Sequence, residues 1–425
     1  MSTVVKLRWR PNQSSDLSRR DRRGCDYEAY LPDPLVGRRL TLDGSTAADV
    51  SDAEAAILRL NQDGNVLADS EAMARLLLRA EAVASSRIEG LEIAGRRLLK
   101  AELARGLEDS RPDVTATEVL NNIAAMHWAV ETLSHVPELR VDDVLTVHDR
   151  LLAGTSIERF GGTLRDMQNW IGGTSFNPCS ATFVPPPPEY VPELMRDLCA
   201  FCNRDDLPAV AQAAVAHAQF ETIHPFVDGN GRTGRALIHV ILRRRGIAPR
   251  LVPPISLVLA TWSADYVAGL TMTRYRGEFG EQAAVDGVNA WISLFAGACQ
   301  RAVADADAYE QRVRALQARW RTRLGGVRKN SATDLLLHAL PGAPVMTVQS
   351  AAALIGRSVQ AVNAAIPRLL ETGVLEQTTV GQRNRAFEAA ELIDTFTALE
   401  RQLASPDADT LISPPTRRVP YRPAT

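Results

Sequence analysis

The twelve residues His224–Arg235, HPFVDGNGRTGR, constrain the fold of this chain more than any other stretch. Gly229 and Gly231 flank Asn230, and glycines at this spacing let the backbone turn tightly and bring its N–H groups close to an anion. Apolar residues then recur at helical spacing to about residue 245, so we expect the turn to open onto a helix N-terminus. Free N–H groups and the helix dipole favour phosphate at such a position.

The polar side chains of this stretch fit nucleotide chemistry. Arg232 and Arg235 are three residues apart, so they share a helix face and can reach the same polyphosphate. Asp228 is placed to hold Mg²⁺ against phosphate oxygens, and His224 can take a proton from an attacking hydroxyl. Each residue alone has an ordinary structural explanation, such as a turn or a helix cap. Together the twelve positions predict a site that holds a nucleoside triphosphate and attacks one of its phosphates.

The stretch resembles the HPFx[D/E]GNGRxxR motif of the Fic family at every fixed position. The resemblance implies transfer of AMP from ATP to a Tyr, Ser or Thr hydroxyl of a protein, with the chain itself as one conceivable target. It implies that His224 is the catalytic base and that Asp228 binds Mg²⁺. The residues that it implies in phosphate binding are Gly229, Asn230, Gly231, Arg232, Gly234 and Arg235. A kinase branch of the same fold carries Lys in place of Gly231, so the intact loop favours AMP transfer over phosphate transfer.

The segment Ser85–Gly90, SSRIEG, resembles the inhibitory motif [S/T]xxxE[G/N] of the same family. It ends an apparent helix over residues 69–90, in which Ser85 and Glu89 lie four apart on one face. The resemblance implies that Glu89 pairs with Arg235, which removes this arginine from the γ-phosphate and leaves ATP misaligned. The alternative is an ordinary helix end that Gly90 terminates.

A third segment, residues 162–188, breaks the helical pattern and is rich in Gly, Thr, Asn and aromatic residues, which is typical of a hairpin. It resembles the family's flap, an exposed hairpin edge that binds the target by strand addition. The residues implied in target docking are Trp170, Ile171, Gly172, Phe183 and Val184. A surface hairpin that only closes the core is the alternative.

The composition is typical of a globular chain. With 425 residues, two or three domains are expected. A hydrophobic content of 45% and a net charge of −2 demand neither a nucleic acid nor a membrane as partner. No apolar run approaches the roughly 20 residues that span a bilayer, and the polar N-terminus lacks the apolar core of a signal peptide. These features predict a cytoplasmic protein.

The five cysteines are odd in number and scattered, which argues against a disulfide framework. Cys199 and Cys202 form one CxxC without a second pair, and we interpret them as buried thiols on a helix. His217 and His239 fall on apparent helices that flank the loop, and we interpret them as core residues.

The pattern along the chain predicts a mainly α protein with five regions. These are a flexible basic arm (1–33), an N-terminal helical region with the inhibitory helix (34–115), a Fic-type helical core with a β-hairpin flap (116–325), a small α+β winged helix-turn-helix (331–400) and a disordered tail (401–425).

The winged helix-turn-helix is predicted from the order helix, turn, helix, strand, strand after residue 331. Its recognition helix would be residues 359–371, where Gln360 and Asn363 are uncharged and Pro367 should kink or shorten the helix. Residues 373–375 and 377–387 are predicted as strands, with Arg383 and Arg385 in the wing. DNA binding and a protein-interaction role are about equally supported.

An autoinhibited protein adenylyltransferase is the favoured function. Two alternatives stay open, a DNA-binding transcriptional regulator whose core senses nucleotide, and a hydrolase that removes AMP while Glu89 aligns a water. The expected partners are ATP with Mg²⁺ and a protein target. DNA binding through residues 331–400 and a homodimer are both compatible with the sequence, and no membrane is expected.

Overall fold

The computed structural model describes residues 2–11, 16–62, 67–105, 113–380 and 384–403, and these residues are mainly helical, as predicted. The helices are α1 Gly44–Gln62, α2 Leu67–Ile88, α3 Gly95–Ala104, α4 Val114–Trp128, α5 Val141–Leu152, α6 Val191–Cys202, α7 Ala209–Ile223, α8 Asn230–Arg244, α9 Ile255–Thr261, α10 Ser263–Met272, α11 Gln282–Leu324, α12 Ala332–Ala339, α13 Val348–Ile355, α14 Val359–Glu371 and α15 Ala390–Leu403. The strands are β1 Thr3–Trp9, β2 Cys25–Leu31, β3 Val345–Met346, β4 Glu376–Val380 and β5 Asn384–Glu388. A π-helical turn, Ala129–Leu133, follows α4.

The chain divides into two compact units. The first comprises Met1–Asp63, Thr117–Val252 and Ala264–Gln300, and the second comprises Gly64–Ala116, Pro253–Ser263 and Arg301–Thr425. Each unit is therefore assembled from segments that are distant in sequence.

The core of the first unit is built around α7, whose fifteen residues are all buried. This helix is rich in alanine, so neighbouring helices can approach it closely on every side. It packs against α6 and α8, and the indole N–H of Trp291 donates a 2.8 Å hydrogen bond to the carbonyl oxygen of Ala214 in its middle. The end of α7 and the start of α8 are thereby fixed against each other.

The predicted flexible arm is wrong for residues 3–9 and 25–31, which pair as an antiparallel hairpin from Thr3 opposite Leu31 to Trp9 opposite Cys25. The exposure alternates along β1 from Lys6 to Trp9, with the charged residues outward. This period of two is the strand signal that the many arginines obscured in the sequence.

The expectation of no disulfide is also wrong for one pair, because Cys25 in β2 is bonded to Cys179. The two residues are 154 positions apart, so their spacing gives no hint of the pairing. Cys199 and Cys202 are free and buried, as predicted. Burial raises the pKa of the Cys199 thiol to about 12, so this thiol stays protonated and unreactive.

The second unit contains α2 and α9 packed together. Glu81 on α2 is fully buried and accepts hydrogen bonds from Ser256 N at 2.7 Å and Ser256 Oγ at 2.5 Å. Because Ser256 lies in the first turn of α9, the carboxylate satisfies a backbone N–H that the helix itself leaves open. A carboxylate in this position fixes α2 against α9.

The C-terminal part of this unit follows the predicted order of helices, and α14 has the predicted bounds, with Pro367 inside it. Pro367 neither ends nor shortens the helix, contrary to our expectation. Residues 373–375, predicted as a strand, form a turn, and β3, which was not predicted, joins β5 and β4 in a three-stranded sheet of order β3-β5-β4. Arg383 and the tail from residue 404 onwards lie outside the described residues.

Among the described helices, no single one is long and apolar enough to cross a membrane, although α9 and α10 pass that criterion when taken together as a bent pair.

Candidate nucleotide and target site

The turn between α7 and α8 has an unusual backbone. His224 follows the last residue of α7 and has φ 48° and ψ 61°, a left-handed conformation that non-glycine residues rarely adopt. Gly229, the residue before α8, also has a positive φ of 77°. Glycine adopts this conformation readily, whereas the left-handed backbone of His224 is strained, and strain of this kind persists where surrounding contacts hold it and concentrates at functional sites.

Asn230 braces this turn. Its Oδ1 accepts a 2.8 Å hydrogen bond from Phe226 N, and its Nδ2 donates a 2.9 Å hydrogen bond to Phe226 O. The side chain thus holds both peptide groups of Phe226. The first turn of α8 also leaves backbone N–H groups without intrahelical acceptors, which an anion can use.

Two motif glycines are required by close packing. A Cβ atom at Gly229 would lie 2.9 Å from Leu151 Cδ2, and the positive φ would strain any other residue. A Cβ atom at Gly234 would lie 2.8 Å from Phe220 Cδ1 and 3.0 Å from Glu221 Oε1. Gly234 therefore allows α8 to approach α7 at the depth that places the first turn of α8 beside His224.

Arg232 is 3% exposed, and its guanidinium group is incompletely satisfied. Its Nη1 lies 3.6 Å from Glu118 Oε2, and its Nη2 lies 3.8 Å from Asp228 Oδ2. Within the described part of the chain, its Nε and Nη1 make no hydrogen bond. A buried guanidinium with unused donors at a helix N-terminus is arranged to accept an anion.

Arg235 lies one turn further along α8 and is fully buried. It lies near His217, whose pKa is lowered to about 3 by burial and then by the positive charge of Arg235. The neutral ring of His217 shares a 2.8 Å hydrogen bond with the hydroxyl of Tyr266 and lies beside Trp291. His217 is therefore a core residue, as predicted, and its burial supports α7 below the site.

Asp228 is the most exposed charged residue of the loop, with 56% of its side chain accessible. Its Oδ1 accepts a 2.6 Å hydrogen bond from Gly229 N, which leaves Oδ2 directed towards Arg232 and solvent. Among the described residues, no group of three or more His, Cys, Asp or Glu side chains converges on a metal site. A Mg²⁺ ion here would take one carboxylate together with phosphate oxygens and waters, which is its common mode at phosphate-transfer sites.

His148 on α5 supports the loop and was missed in the sequence. Gly162 N donates to its Nδ1 at 3.2 Å, so the proton lies on Nε2, which donates to Asp228 O at 2.9 Å. Its ring stacks on Phe226 with centroids 3.7 Å apart. Burial lowers its pKa to about 4 and keeps it neutral. Its place on the buried face of α5 looks like any core position, so no local signal marks it.

Arg165 lies within the predicted flap segment and fastens the flap to the loop, a role that was not predicted from the sequence. Its guanidinium donates hydrogen bonds to four carbonyl oxygens, those of His224 at 2.8 Å, Met167 at 3.1 Å, Pro186 at 2.6 Å and Ile223 at 3.3 Å. Burial lowers its pKa to about 10, so it remains charged at neutral pH. One side chain thus ties both sides of the flap to the end of α7.

Asn169 adds a second connection between flap and loop. Its Nδ2 donates to His224 O at 3.2 Å and to Phe226 O at 3.0 Å. The carbonyl oxygen of His224 is therefore held from two directions, by Arg165 and Asn169. This contact stabilises the left-handed backbone that presents the imidazole.

The flap tip is closed by one isolated antiparallel bridge between Ile171 and Phe183. Gly172 has a φ of 78°, and a Cβ atom there would lie 2.4 Å from Thr182 Oγ1. Trp170 donates its indole N–H to Thr174 O at 2.7 Å.

Four of the five predicted docking residues, Trp170, Ile171, Gly172 and Phe183, lie at this tip. Val184 was predicted as a fifth, but its side chain is buried and its carbonyl oxygen accepts a 2.9 Å hydrogen bond from Tyr30 N. Since alternate side chains of an extended segment point to opposite faces, Phe183 points away from Val184, and its half-buried ring lies against Tyr30 and the guanidinium group of Arg274.

Ser85 and Glu89 lie at the C-terminal end of α2 in the second unit. Ser85 is fully buried, whereas Glu89 is exposed in the turn that follows the helix. Gly90 N and Leu91 N donate to Arg87 O and Ser86 O, and Gly90 has a φ of 83°, so the helix ends in a glycine turn. The segment therefore has an ordinary glycine helix end at Gly90 and also presents the exposed Glu89 at that end.

Two family models match the chain. Residues 138–242 match the Fic/DOC family, and residues 47–131 match the N-terminal region of the Fic/DOC family. The first range contains α5, the flap and the whole loop, and the second contains Ser85 and Glu89.

Two relatives of the chain are named as protein adenylyltransferases of the Fic type. The chain is 29% identical to protein adenylyltransferase fic-1 of Caenorhabditis elegans over 261 residues, which are 58% of this chain and 48% of that protein. It is 35% identical to protein adenylyltransferase fic-1 of Caenorhabditis briggsae over 136 residues, 31% of this chain and 24% of that protein. The chain thus spans about half the length of the first relative and about a quarter of the second.

A solved structure of a Fic family protein from Desulfovibrio desulfuricans is also similar, with 21% identity and a TM-score of 0.49 over 82% of this chain and 97% of that chain. The family models and the curated relatives lead to one conclusion. Residues 138–242 of the chain match the Fic/DOC family, residues 47–131 match the family's N-terminal region, and over part of its length the chain is homologous to Fic-type protein adenylyltransferases.

Proposed function

We propose that this protein transfers AMP from ATP to a hydroxyl group of a protein and that its N-terminal region restrains the reaction. The observation that carries the proposal is the first turn of α8, where open backbone N–H groups lie beside a buried Arg232 whose Nε and Nη1 make no hydrogen bond to the described residues. A polyphosphate supplies the acceptors that both groups require. The names of the homologous adenylyltransferases support the same reaction.

The loop residues divide the work on ATP. Backbone N–H groups of residues 229–231 and the guanidinium of Arg232 would hold the phosphates, and Arg235 would hold the γ-phosphate. Asp228 would hold Mg²⁺, which neutralises phosphate charge when it is bound. Gly234 allows α8 to lie deep enough for both arginines to face one ligand.

His224 would act as the general base. The hydroxyl oxygen of the target attacks the α-phosphorus and forms a P–O bond, while its proton passes to the imidazole. The bond between the α-phosphorus and the bridging oxygen to the β-phosphate breaks, and pyrophosphate leaves. Arg165 and Asn169 hold the carbonyl oxygen of His224, so the ring is positioned before the substrate arrives.

The flap would present the target. Its tip carries the exposed Ile171 next to Gly172 and is fastened to the loop through Arg165. A target segment laid along this edge would pair with the backbone and bring its hydroxyl to His224. Trp170 and Phe183 would flank that segment, and Val184 would contribute through its backbone only.

Glu89 would inhibit the reaction by binding Arg235. A carboxylate and a γ-phosphate are competing partners for one guanidinium, and charge-assisted pairs are strong in sheltered sites. Glu89 is exposed at the end of α2, while Ser85 is buried one turn earlier and anchors that end. The match of residues 47–131 to the family's N-terminal region supports this assignment.

The test measures incorporation of label from α-labelled ATP with Mg²⁺, in the presence and absence of cell lysate. The proteins are wild type, Glu89→Gly, Glu89→Gly/His224→Ala, and Glu92→Gly as a matched control that removes a nearby exposed carboxylate. Strong labelling of a lysate protein or of the chain itself is expected with Glu89→Gly, and weak labelling with wild type and the control. Equal labelling by Glu89→Gly with and without His224, or none in any form, would contradict the proposal.

The C-terminal residues 331–400 would form a winged-helix module, because α12, α13, α14 and the β4–β5 hairpin follow in that order. A protein-interaction role is better supported than DNA binding. The exposed positions Gln360, Asn363 and Ala364 of α14 are uncharged, and Arg368 donates to Leu324 O and Gly326 O. Binding of a duplex by the full chain with steep salt dependence would favour DNA instead.

A hydrolase that removes AMP from a modified target is the remaining alternative, and the comparisons do not favour it. It makes a distinct prediction, because Glu89 would then be required for the reaction. Release of AMP from a labelled target by wild type but not by Glu89→Gly would identify that activity.

A further inference from the structure

The segment that joins β1 to β2 is strongly basic where it is described. Residues 19–23 contain four arginines and one aspartate, and we name this segment the arginine rim. Arg19, Arg20 and Arg23 are exposed, and Arg20 Nη2 donates a 3.5 Å hydrogen bond to Ser180 Oγ of the flap. The carboxylate of Asp21 is used locally, since it accepts a 2.7 Å hydrogen bond from Ser18 Oγ.

The arginine rim is fastened to the flap by specific contacts. Cys25, next to the rim, is bonded to Cys179 of the flap. The buried side chain of Asn177 donates to Arg20 O at 3.1 Å and to Asp21 O at 3.0 Å. A loop that is only solvated would not require a disulfide and two hydrogen bonds to a neighbouring segment. These contacts hold the rim in a defined place beside the flap.

A ring contact extends this connection to the flap tip. Trp9 at the end of β1 meets Trp170 edge to face, with ring centroids 5.3 Å apart. Trp170 is adjacent to Ile171, which bridges to Phe183. The hairpin of residues 3–31 therefore reaches the edge along which a target segment would lie.

The flap tip itself is uncharged and carries two exposed apolar side chains. Residues 170–183 contain no Asp, Glu, Lys or Arg, while Ile171 is 37% and Phe176 48% exposed. Carboxylates lie at the ends of the flap, where Asp166 and Glu189 are exposed. Beside the tip, both the arginine rim and Arg274, whose guanidinium carbon lies 3.6 Å from the ring centroid of Phe183, contribute positive charge.

We propose that the arginine rim and the flap tip form one docking surface for an acidic segment of the target protein, a refinement that rests on the proposed AMP transfer. The target hydroxyl would be followed or preceded by Asp or Glu residues that face the rim. Apolar residues of the same segment would cover Ile171 and Phe176. Complementary charge of this kind sets specificity and the rate of encounter, and it weakens as salt rises.

The first experiment measures binding, which does not depend on catalysis. The probes are a fluorescent twelve-residue peptide with one Tyr, four Glu and two Leu, and its counterpart with every Glu replaced by Gln. The full chain should bind the acidic peptide at least about tenfold more tightly at low salt, and the preference should shrink at high salt. Equal binding of both peptides would overturn the proposal.

The variant for this experiment reverses the charge of the rim, with Arg19, Arg20, Arg22 and Arg23 each changed to Glu. A matched control reverses four exposed arginines of the same unit, Arg59, Arg140, Arg196 and Arg250, and therefore has the same net charge. Loss of preference in the rim variant alone is expected. Equal loss in the control would reduce the effect to net charge and overturn the docking surface.

Two further variants keep the test decisive if the fourfold variant does not fold. Arg20→Glu/Arg23→Glu leaves the half-buried Arg22 in place and should lose part of the preference. Cys25→Ser/Cys179→Ser should weaken the preference by loosening the rim from the flap, without any change of charge. A single-stranded oligonucleotide that binds more tightly than the acidic peptide, and loses binding in the rim variant, would identify a nucleic-acid surface and overturn the peptide proposal.

The second experiment measures AMP transfer to the same peptides by Glu89→Gly protein. The rim variant should raise the KM for the acidic peptide at least about tenfold while kcat stays similar. Selective binding without any transfer would contradict the proposed function and leave the surface intact. Transfer to both peptides with the same KM would contradict the surface and leave the function intact.

Discussion

The turn before α14 and the turn before α8 differ in whether a side chain caps the helix N-terminus. Before α14, the hydroxyl of Ser358 accepts a 3.2 Å hydrogen bond from Ala361 N, so a side chain caps the helix. Before α8, the N-cap is Gly229, which has no side chain to offer. Because a side-chain cap occupies the N–H groups that an anion would use, the first turn is closed to ligands and the second is open.

The arginines of the two helices differ in the same sense. Arg368 on α14 donates to two carbonyl oxygens, those of Leu324 and Gly326. Arg232 on α8 keeps two donors without a hydrogen bond among the described residues. The donors of Arg368 on α14 thus find acceptors within the fold, whereas two donors of Arg232 on α8 still require an external acceptor. Gly229, which its positive φ and the close approach of Leu151 require, thus leaves the first turn of α8 without a side-chain cap.

The largest expected effect is the loss of AMP transfer when His224, the proposed base beside the turn before α8, is removed. His224→Ala in the Glu89→Gly background should lower AMP transfer by roughly 10²–10⁴-fold, because general-base catalysis contributes about that factor. Transfer is measured with α-labelled ATP, and exposed His135→Ala serves as the control. Similar activity of the two variants would assign the chemistry elsewhere.

The free energy of unfolding should also depend on pH, because His148, which supports the turn before α8, is buried in its neutral form. Its pKa is about 4 in the folded chain and about 6.5 when it is unfolded. The unfolded state therefore binds more protons between these values, so the free energy of unfolding falls as pH drops from 6.5 to 4, by at most about 3 kcal/mol from this group.

Thermal unfolding across this pH range tests the expectation. His148→Gln should show a shallower decline than wild type, and exposed His135→Gln should match wild type. An unchanged slope in His148→Gln would show that the ring does not carry the dependence.

A change of Arg232 tests whether this arginine binds a ligand or supports the fold. Arg232→Gln should weaken ATP binding roughly 10- to 100-fold, the equivalent of losing about 1.5–3 kcal/mol of charge-assisted hydrogen bonds. Without nucleotide, stability should stay the same or rise, because a buried and incompletely paired charge is removed. Calorimetry and thermal unfolding measure the two effects.

The control for that variant is Arg243→Gln in the last turn of the same helix, where the arginine is paired to Glu131 at 2.7 Å. It should leave ATP binding unchanged. A large loss of stability in Arg232→Gln without nucleotide would instead mark Arg232 as a structural residue.

The smallest effect is expected at the closed turn. Ser358→Ala should destabilise the C-terminal region by about 1 kcal/mol, because the helix loses its cap, and Ser358→Gly by only a few tenths. Hydrogen exchange of α14 amides measures the change, and ATP binding should not respond. An altered ATP affinity in either variant would contradict the independence of the two turns.

Local signals explain what the sequence could predict. The bounds of α14 follow from its apolar period and its cap Ser358, and the start of α8 follows from the glycines at 229 and 231. Pro367 was expected to disrupt α14, yet it lies on the exposed side of the helix. The helix continues through this position despite the hydrogen bond that proline cannot donate, because tertiary packing of its buried face outweighs local propensity.

Long-range contacts explain what the sequence could not predict. Arg165 and His148 act on the loop from 59 and 80 residues away in sequence. The strands β1 and β2 are joined to the flap by the disulfide to Cys179 and by the contact between Trp9 and Trp170. No local pattern records these pairings, because each side chain alone fits an ordinary surface or core position.

The bond between Cys25 and Cys179 closes a covalent ring through the chain. Any single proteolytic cut between residues 26 and 178 leaves both fragments joined, so the cleaved protein keeps its full mass on a non-reducing gel. Addition of a reductant would separate it into two bands. Nicked material could thus pass as intact in a purification that never includes a thiol.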